Sequence, residues 1–228
     1  MSRVETATWL TGSRMYGIHL PDSDFDYTGI EWDFRKYMNP LLDREYTNVS
    51  EENNISVHSL PKVAKLLTKG NFTILDLLYH TPLEHSGVII LSFIEAVKPY
   101  AVTNSTVRAY LGYINKQTSL AKATGRGKQA QRPLVQDGDS SYEPKFVGHL
   151  VRGLLSIAGI LNTGEYHHLT NDEVDQILSI RRGEVSYEEV QATIDVLLEQ
   201  VNSYDPDSLR DTTELREVVG DFFYDLVI

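Results

Sequence analysis

Hydrophobic periodicity changes character once along this chain, near residue 73, and that change limits the architecture more than any other feature. Before it, β-branched and apolar residues come in short runs cut by turn residues. Thr6-Ala7-Thr8-Trp9-Leu10 stops at Gly12, Phe25 to Trp32 alternates after Pro21-Asp22-Ser23, and Asn54-Ile55-Ser56-Val57-His58 reads as a third strand. Ser59 and Pro61 then give a helix its start, Val63, Leu66 and Leu67 share one of its faces, and Gly70-Asn71 ends it. Beyond residue 73 the spacing predicts helices over 73–80, 84–98, 104–123, 145–162, 171–182, 186–202 and 207–226. Strands first and helices after read as α+β, with a small mixed-sheet domain over 1–90 and an all-helical domain over 91–228. The stretch 124–143, rich in Gly, Ser and polar residues, is expected to be a long loop.

Charge and cysteine usage narrow the chemistry. The 228 residues hold no cysteine, so a disulfide, a thiolate metal site and a cysteine nucleophile are excluded, and any metal must sit on oxygen or imidazole. A formal charge of -11 argues against coating nucleic acid by bulk electrostatics. Its distribution is uneven, however. From Ala96 through Gln136 there is no acid, while Lys98, Arg108, Lys116, Lys122, Arg126, Lys128 and Arg132 are all cationic, which invites a polyanion such as a triphosphate or RNA. Residues 164–228 carry 16 acids against four arginines and read as a solvated acidic face. No window approaches 18 uninterrupted apolar residues and the first residues lack a signal-peptide pattern, so no membrane partner and a cytoplasmic setting are expected.

The chemistry concentrates in Leu10-Thr11-Gly12-Ser13-Arg14-Met15-Tyr16-Gly17 and the carboxylates of Asp22-Ser23-Asp24-Phe25-Asp26. Asp24 and Asp26 stand two apart at the entry to a strand, where alternate side chains share a face. Paired carboxylates repel unless a cation or proton is shared, and oxygen ligation with retained water is what Mg²⁺ prefers. A glycine where a strand gives way to a helix lets backbone N–H groups approach a phosphate, and Ser13 adds a hydroxyl. A carboxylate pair facing a phosphate cradle is the layout of metal-assisted phosphoryl or nucleotidyl transfer.

These residues resemble the DNA polymerase beta-type nucleotidyltransferase superfamily, whose signature is a Gly-Ser turn followed by an Asp-x-Asp strand. Gly12 to Gly17 and Ser23-Asp24-Phe25-Asp26-Tyr27-Thr28-Gly29-Ile30 are similar to the branch of predicted nucleotidyltransferases or RNA-ligase-associated polymerases, frequent in bacteriophage genomes. So are Ser59 to Lys62 leading to Lys69-Gly70-Asn71, Leu75-Asp76-Leu77-Leu78, Lys145-Phe146-Val147-Gly148-His149-Leu150-Val151-Arg152 and Ile180-Arg181-Arg182-Gly183-Glu184. The resemblance spans roughly residues 8–190. It implies transfer of a nucleotide from a nucleoside triphosphate with release of pyrophosphate, with Mg²⁺ or Mn²⁺ on Asp24 and Asp26, and the triphosphate on Gly12, Ser13 and Arg14. The superfamily's third carboxylate, expected before the strand leading into Ser59, aligns with Asn54, which can offer a metal its carbonyl but cannot take a proton. Either Glu52 substitutes for it, or two carboxylates suffice, or the chain binds without turnover. Asp76 stands where the branch tends to have Glu.

On the helix expected over 145–162, Lys145, His149 and Arg152 fall at i, i+4 and i+7, with Ser156 continuing the row and Val147, Leu154, Leu155, Ile157, Ala158 and Leu161 opposite. Cations in such a row suit the triphosphate and departing pyrophosphate, and they are expected to close the site from the helical side. His58 reads as packed, and His167-His168 near Glu165 as a polar loop. The acceptor hydroxyl stays open among an RNA 3′ end, favoured by the 96–136 stretch, a protein side chain receiving AMP, and a small molecule. The competing class is a nucleotide- or nucleic-acid-binding module without catalysis.

Overall fold

Strand β1 (Val4–Thr11) and strand β2 (Asp26–Asp33) pair antiparallel in a register that runs from Val4 opposite Asp33 to Thr11 opposite Asp26. Alternation does the sorting: Ala7, Trp9 and Thr11 of β1 and Thr28, Ile30 and Trp32 of β2 are buried on one face of this ribbon. The structure, a computed structural model, describes residues 4–39, 41–122, 134–137 and 140–227. Around the central pair lies a five-stranded mixed sheet of order β3-β4-β2-β1-β5, with β3 (Thr47–Ser50), β4 (Ile55–Ser59) and β5 (Glu84–Ser86). β4 runs parallel to β2, which the crossover through α2 (Phe34–Met38) and β3 makes possible, and the other neighbours are antiparallel.

Helices cover the buried face. α3 (Leu60–Leu67) begins as expected, with the Ser59 hydroxyl accepting from the Lys62 N–H and proline in the first turn. Leu60, Val63, Ala64 and Leu67 turn inward. α4 (Phe72–Tyr79) is capped by Asn71, whose side chain accepts from Ile74 N–H at 3.0 Å, and α5 (Ile89–Val97) packs on β1 and β2. The helix expected over 84–98 is therefore shorter. Its first residues are β5 instead, because Glu84, His85 and Ser86 find free partners on the edge of β1 and Ser86 Oγ accepts the Thr6 N–H at 3.0 Å.

The chain divides into two compact units, and neither follows the expected boundary at residue 90. The sheet unit holds residues 1–15, 24–106 and 210–228; the second unit holds 16–23 and 107–209. The C-terminal helix α10 (Thr213–Asp225) thus belongs with the sheet, although its acidic sequence reads as a solvated face. Two adjacent rings explain this. Phe222 meets Phe93 edge-on at 5.2 Å, and Phe223 stacks on Tyr37 at 5.5 Å and lies 6.1 Å from Trp32, so the acids face outward while the aromatic pair completes the sheet unit's core.

The second unit is built on α7 (Pro144–Thr163), which packs against α8 (Asn171–Arg182) and α9 (Tyr187–Asn202) and is joined by most of α6 (Asn104–Lys122). Thr170 and Ser186 cap α8 and α9 in full capping boxes with Glu173 and Glu189. α7 is long and apolar enough to cross a membrane, but 67% of its apolar stretch is buried inside the unit, as in a core helix. The stretch expected to be a loop over 124–143 instead ends in a small hairpin of β6 (Val135–Asp137) and β7 (Ser140–Tyr142), which packs on α9. Residues 123–133, with Arg126, Lys128 and Arg132, lie outside the described residues.

Candidate active site

At the open end of β1 and β2 the inward row Trp32, Ile30, Thr28 reaches its last member, Asp26, directly opposite Thr11. Asp26 is exposed here, while Thr28, whose hydroxyl donates to Thr11 Oγ1 at 3.4 Å, is still buried. Gly12 ends β1 with φ +64° and opens the single turn α1 (Gly12–Met15), with Ser13 next. A Cβ on Gly12 would lie 2.6 Å from Asp26 Oδ2. Only a residue without a side chain lets the carboxylate rest against the strand end, and the left-handed backbone there makes the same demand. Gly12 and Asp26, proposed as partners from the sequence, are therefore brought together.

Asp24 lies just outside the strand, which begins at Asp26, and is exposed as well. Its backbone is held rather than free: Arg14 Nε donates to the Asp24 carbonyl at 3.2 Å, and the Arg14 guanidinium sits 3.6 Å over the Phe25 ring. Arg14, expected to bind the triphosphate, thus ties the α1 turn to the Asp24-Phe25 backbone.

Asn54 lies next to Asp26 across the parallel β2–β4 ladder: Tyr27 pairs with Ile55, and the Tyr27 N–H donates to the Asn54 carbonyl at 2.8 Å. It is exposed and adopts φ +48°, a left-handed turn conformation in which asparagine is among the most tolerant residues. Among the described residues no group of three or more His, Asp or Glu gathers as a metal cage. Asp24 and Asp26 are both exposed carboxylates at this end of the sheet, and oxygen donors of this kind suit Mg²⁺ or Mn²⁺, which hold several waters and take substrate phosphate oxygens as remaining ligands.

His58 is half-buried on β4, where its Nδ1 lies 2.8 Å from Thr47 Oγ1 on β3. Burial, helped by the Lys62 charge, holds its imidazole below the ordinary histidine range. The sign is fixed by linkage: below about pH 6.5 the unfolded chain takes the proton before the folded one does, so stability falls on acidification through that value and then levels off below the folded-state pKa. Thermal melts from pH 7.5 to 5 should show this fall, and His58→Gln should reduce it. An unaltered pH slope in that variant would contradict the assignment.

In the second unit, the row on α7 runs from surface to interior. Lys145 is exposed, His149 half-buried, and Arg152 and Ser156 are buried at 3% and 6% exposure, so the expected polar face is not solvated along its length. The reason is a covering element invisible in the helix's own periodicity. Tyr16 and Tyr113 lie under the Arg152 guanidinium, with ring centroids at 4.3 and 5.8 Å. Of the basic stretch, Arg108 pairs with Asp207, Lys98 lies 5.0 Å over Tyr79, and Lys116 is exposed.

Arg181 is the buried charge that reading by residue class passes over. It is 7% exposed, and its Nε and Nη1 have no hydrogen-bond partner. A signal for it exists: Val174, Ile177, Leu178 and Arg181 fall at i, i+3, i+4 and i+7, so a cation occupies the last place of an apolar stripe. Asp76 is buried at 1% exposure within α4, away from any open surface.

No curated protein and no solved structure matches the chain. A family model does, over residues 8–224, taking in the Gly12 turn, the Asp24-x-Asp26 strand and both units. Matched over nearly its whole length, this protein belongs to the RNA repair pathway DNA polymerase beta family, a family of polymerase beta-type nucleotidyltransferases.

Proposed function

We propose that this chain transfers a nucleoside monophosphate from a nucleoside triphosphate to the 3′ hydroxyl of an RNA, releasing pyrophosphate. The observation that carries this reading is the Asp26 carboxylate seated against the bare Cα of Gly12, with Asp24 two residues away on a backbone fixed by Arg14. Asp24 and Asp26 would hold Mg²⁺ or Mn²⁺, which when bound supplies positive charge against the phosphate oxygens. Gly12 lets the Asp26 carboxylate rest against the strand end, and Ser13 offers a hydroxyl and a first-turn N–H to a phosphate. The acceptor hydroxyl attacks the α-phosphorus in line and the bond to the pyrophosphate oxygen breaks. Lys145 offers an exposed cation and His149 a ring nitrogen to phosphates of nucleotide or RNA, and the acid-free 96–136 stretch adds cations for an RNA to engage. The RNA acceptor is chosen over a protein or small-molecule hydroxyl on the family's RNA repair description and on that stretch.

The test is incubation with α-labelled NTPs, Mn²⁺ and RNA bearing a free 3′ hydroxyl, with 3′-blocked RNA alongside. Label should enter the first RNA and not the second. Label in protein would redirect the reading to a protein acceptor. Nucleotide binding without label or pyrophosphate would favour the non-catalytic module, for which Asn54 in place of a carboxylate is the specific motive.

Asn54→Asp follows from the same geometry. Aspartate also tolerates the left-handed turn, so the fold should be kept, and a third negative charge beside Asp26 should tighten Mn²⁺ binding by roughly tenfold. Titration calorimetry would check this. Unchanged affinity would show that position 54 does not face the cation.

A further inference from the structure

The chain leaves the sheet unit after Met15 and re-enters it at Asp24, and the residues between, Tyr16–Ser23, pack with the second unit. This excursion separates the two halves of the candidate site: Gly12 and Ser13 precede it, Asp24 and Asp26 follow it. Its own side chains are not those of a loose loop. Ile18 is fully buried, and the turn at its end is closed in both directions, by the Leu20 N–H on Ser23 Oγ at 2.9 Å and the Ser23 N–H on the Leu20 carbonyl at 3.0 Å. A Cβ placed on Gly17 would lie 4.0 Å from Val174 Cγ1, so the excursion reaches α8.

A buried arginine meets its start: Arg152 of α7, 3% exposed, carries its guanidinium 4.3 Å over the Tyr16 ring.

We propose that Arg152 is a positioning residue, which holds the start of the Tyr16–Ser23 excursion through the face of Tyr16 and thereby sets the path on which the chain delivers Asp24 and Asp26. The effect on rate rests on the nucleotidyl-transfer reading above, whereas the grip is a property of the second unit and can be measured without nucleotide. Arg152 on this account acts through Tyr16 and does not ligate the triphosphate.

A double-mutant cycle on the full chain tests it, pairing Arg152→Met with Tyr16→Leu. Without nucleotide, each single substitution should speed amide exchange over residues 16–23 by about tenfold, and the double should do no more than its stronger single. In transfer assays kcat should fall by about tenfold with the KM for NTP unchanged, for Tyr16→Leu as for Arg152→Met. Additive exchange in this cycle, or a raised KM with Arg152→Met but not with Tyr16→Leu, overturns the proposal. Should Arg152→Met unfold, Arg152→Lys keeps a cation over the ring. It should retain most of the protection, and weakened nucleotide affinity at full protection would again overturn the idea. A chain that transfers no nucleotide at all would sink the catalytic reading, while the exchange cycle would still decide the grip.

Discussion

Asp24→Asn and Asp26→Asn should each lower nucleotidyl transfer on the order of a hundred- to a thousandfold, the scale seen when one preorganised electrostatic contact to a transition state is lost. The substitution is nearly isosteric and both residues are exposed, so neither variant should lose more than about 0.5 kcal/mol of folding stability. Transfer of label to RNA, a thermal melt and Mn²⁺ titration together check the expectation. The melt should be unchanged and the metal affinity reduced. Full transfer in either variant would mean that the carboxylate pair is not the reacting centre.

Gly12→Ala should be nearly as damaging to activity and worse for the fold. An alanine at φ +64° costs about 1–2 kcal/mol in backbone conformation, and its methyl would stand 2.6 Å from Asp26 Oδ2, so the carboxylate or the α1 turn has to move. A displacement of about 1 Å at a reacting centre can cost on the order of a hundredfold in rate. Gly164 supplies the comparison. It closes α7 at φ +73°, and a Cβ there would meet only Leu209 Cδ2 at ordinary contact distance, 3.8 Å. Gly164→Ala should therefore show the same backbone cost in a chemical-denaturation curve and leave transfer intact. If both glycine variants lose activity equally, crowding of Asp26 is not the cause.

What could be read before any coordinates was whatever local chemistry decides. β1, β2, β4 and the helices from α3 onward were legible because their apolar periods are strong and their ends carry caps: Ser59, Asn71, Thr170 and Ser186 all accept the N–H that their position calls for. The Gly12–Asp26 contact was legible because the demand for a glycine and the demand for a carboxylate fall at the two ends of one hairpin. β3 was not legible. It is an exposed edge of Thr, Asn, Val and Ser, and it exists because β4 offers it a partner and Ser59 Oγ accepts the Tyr46 N–H at 3.1 Å. Nor could the fate of Arg152 be read from α7, since the ring that covers it lies far away in sequence, on Tyr16. The acidic tail misled for the same reason: average charge describes the outer face of α10, and two phenylalanines describe the inner one.

The return of residues 210–228 to the sheet has a consequence for biosynthesis. The strands that carry the acidic pair leave the ribosome early but cannot bury Phe93 and Trp32 fully until Phe222 and Phe223 follow, whereas 107–209 can collapse onto 16–23 as soon as it emerges. During translation the helical unit is thus finished first and the reactive one last, so chains terminated short of residue 222 would expose an aromatic surface to chaperones and proteases while their helical half stands folded.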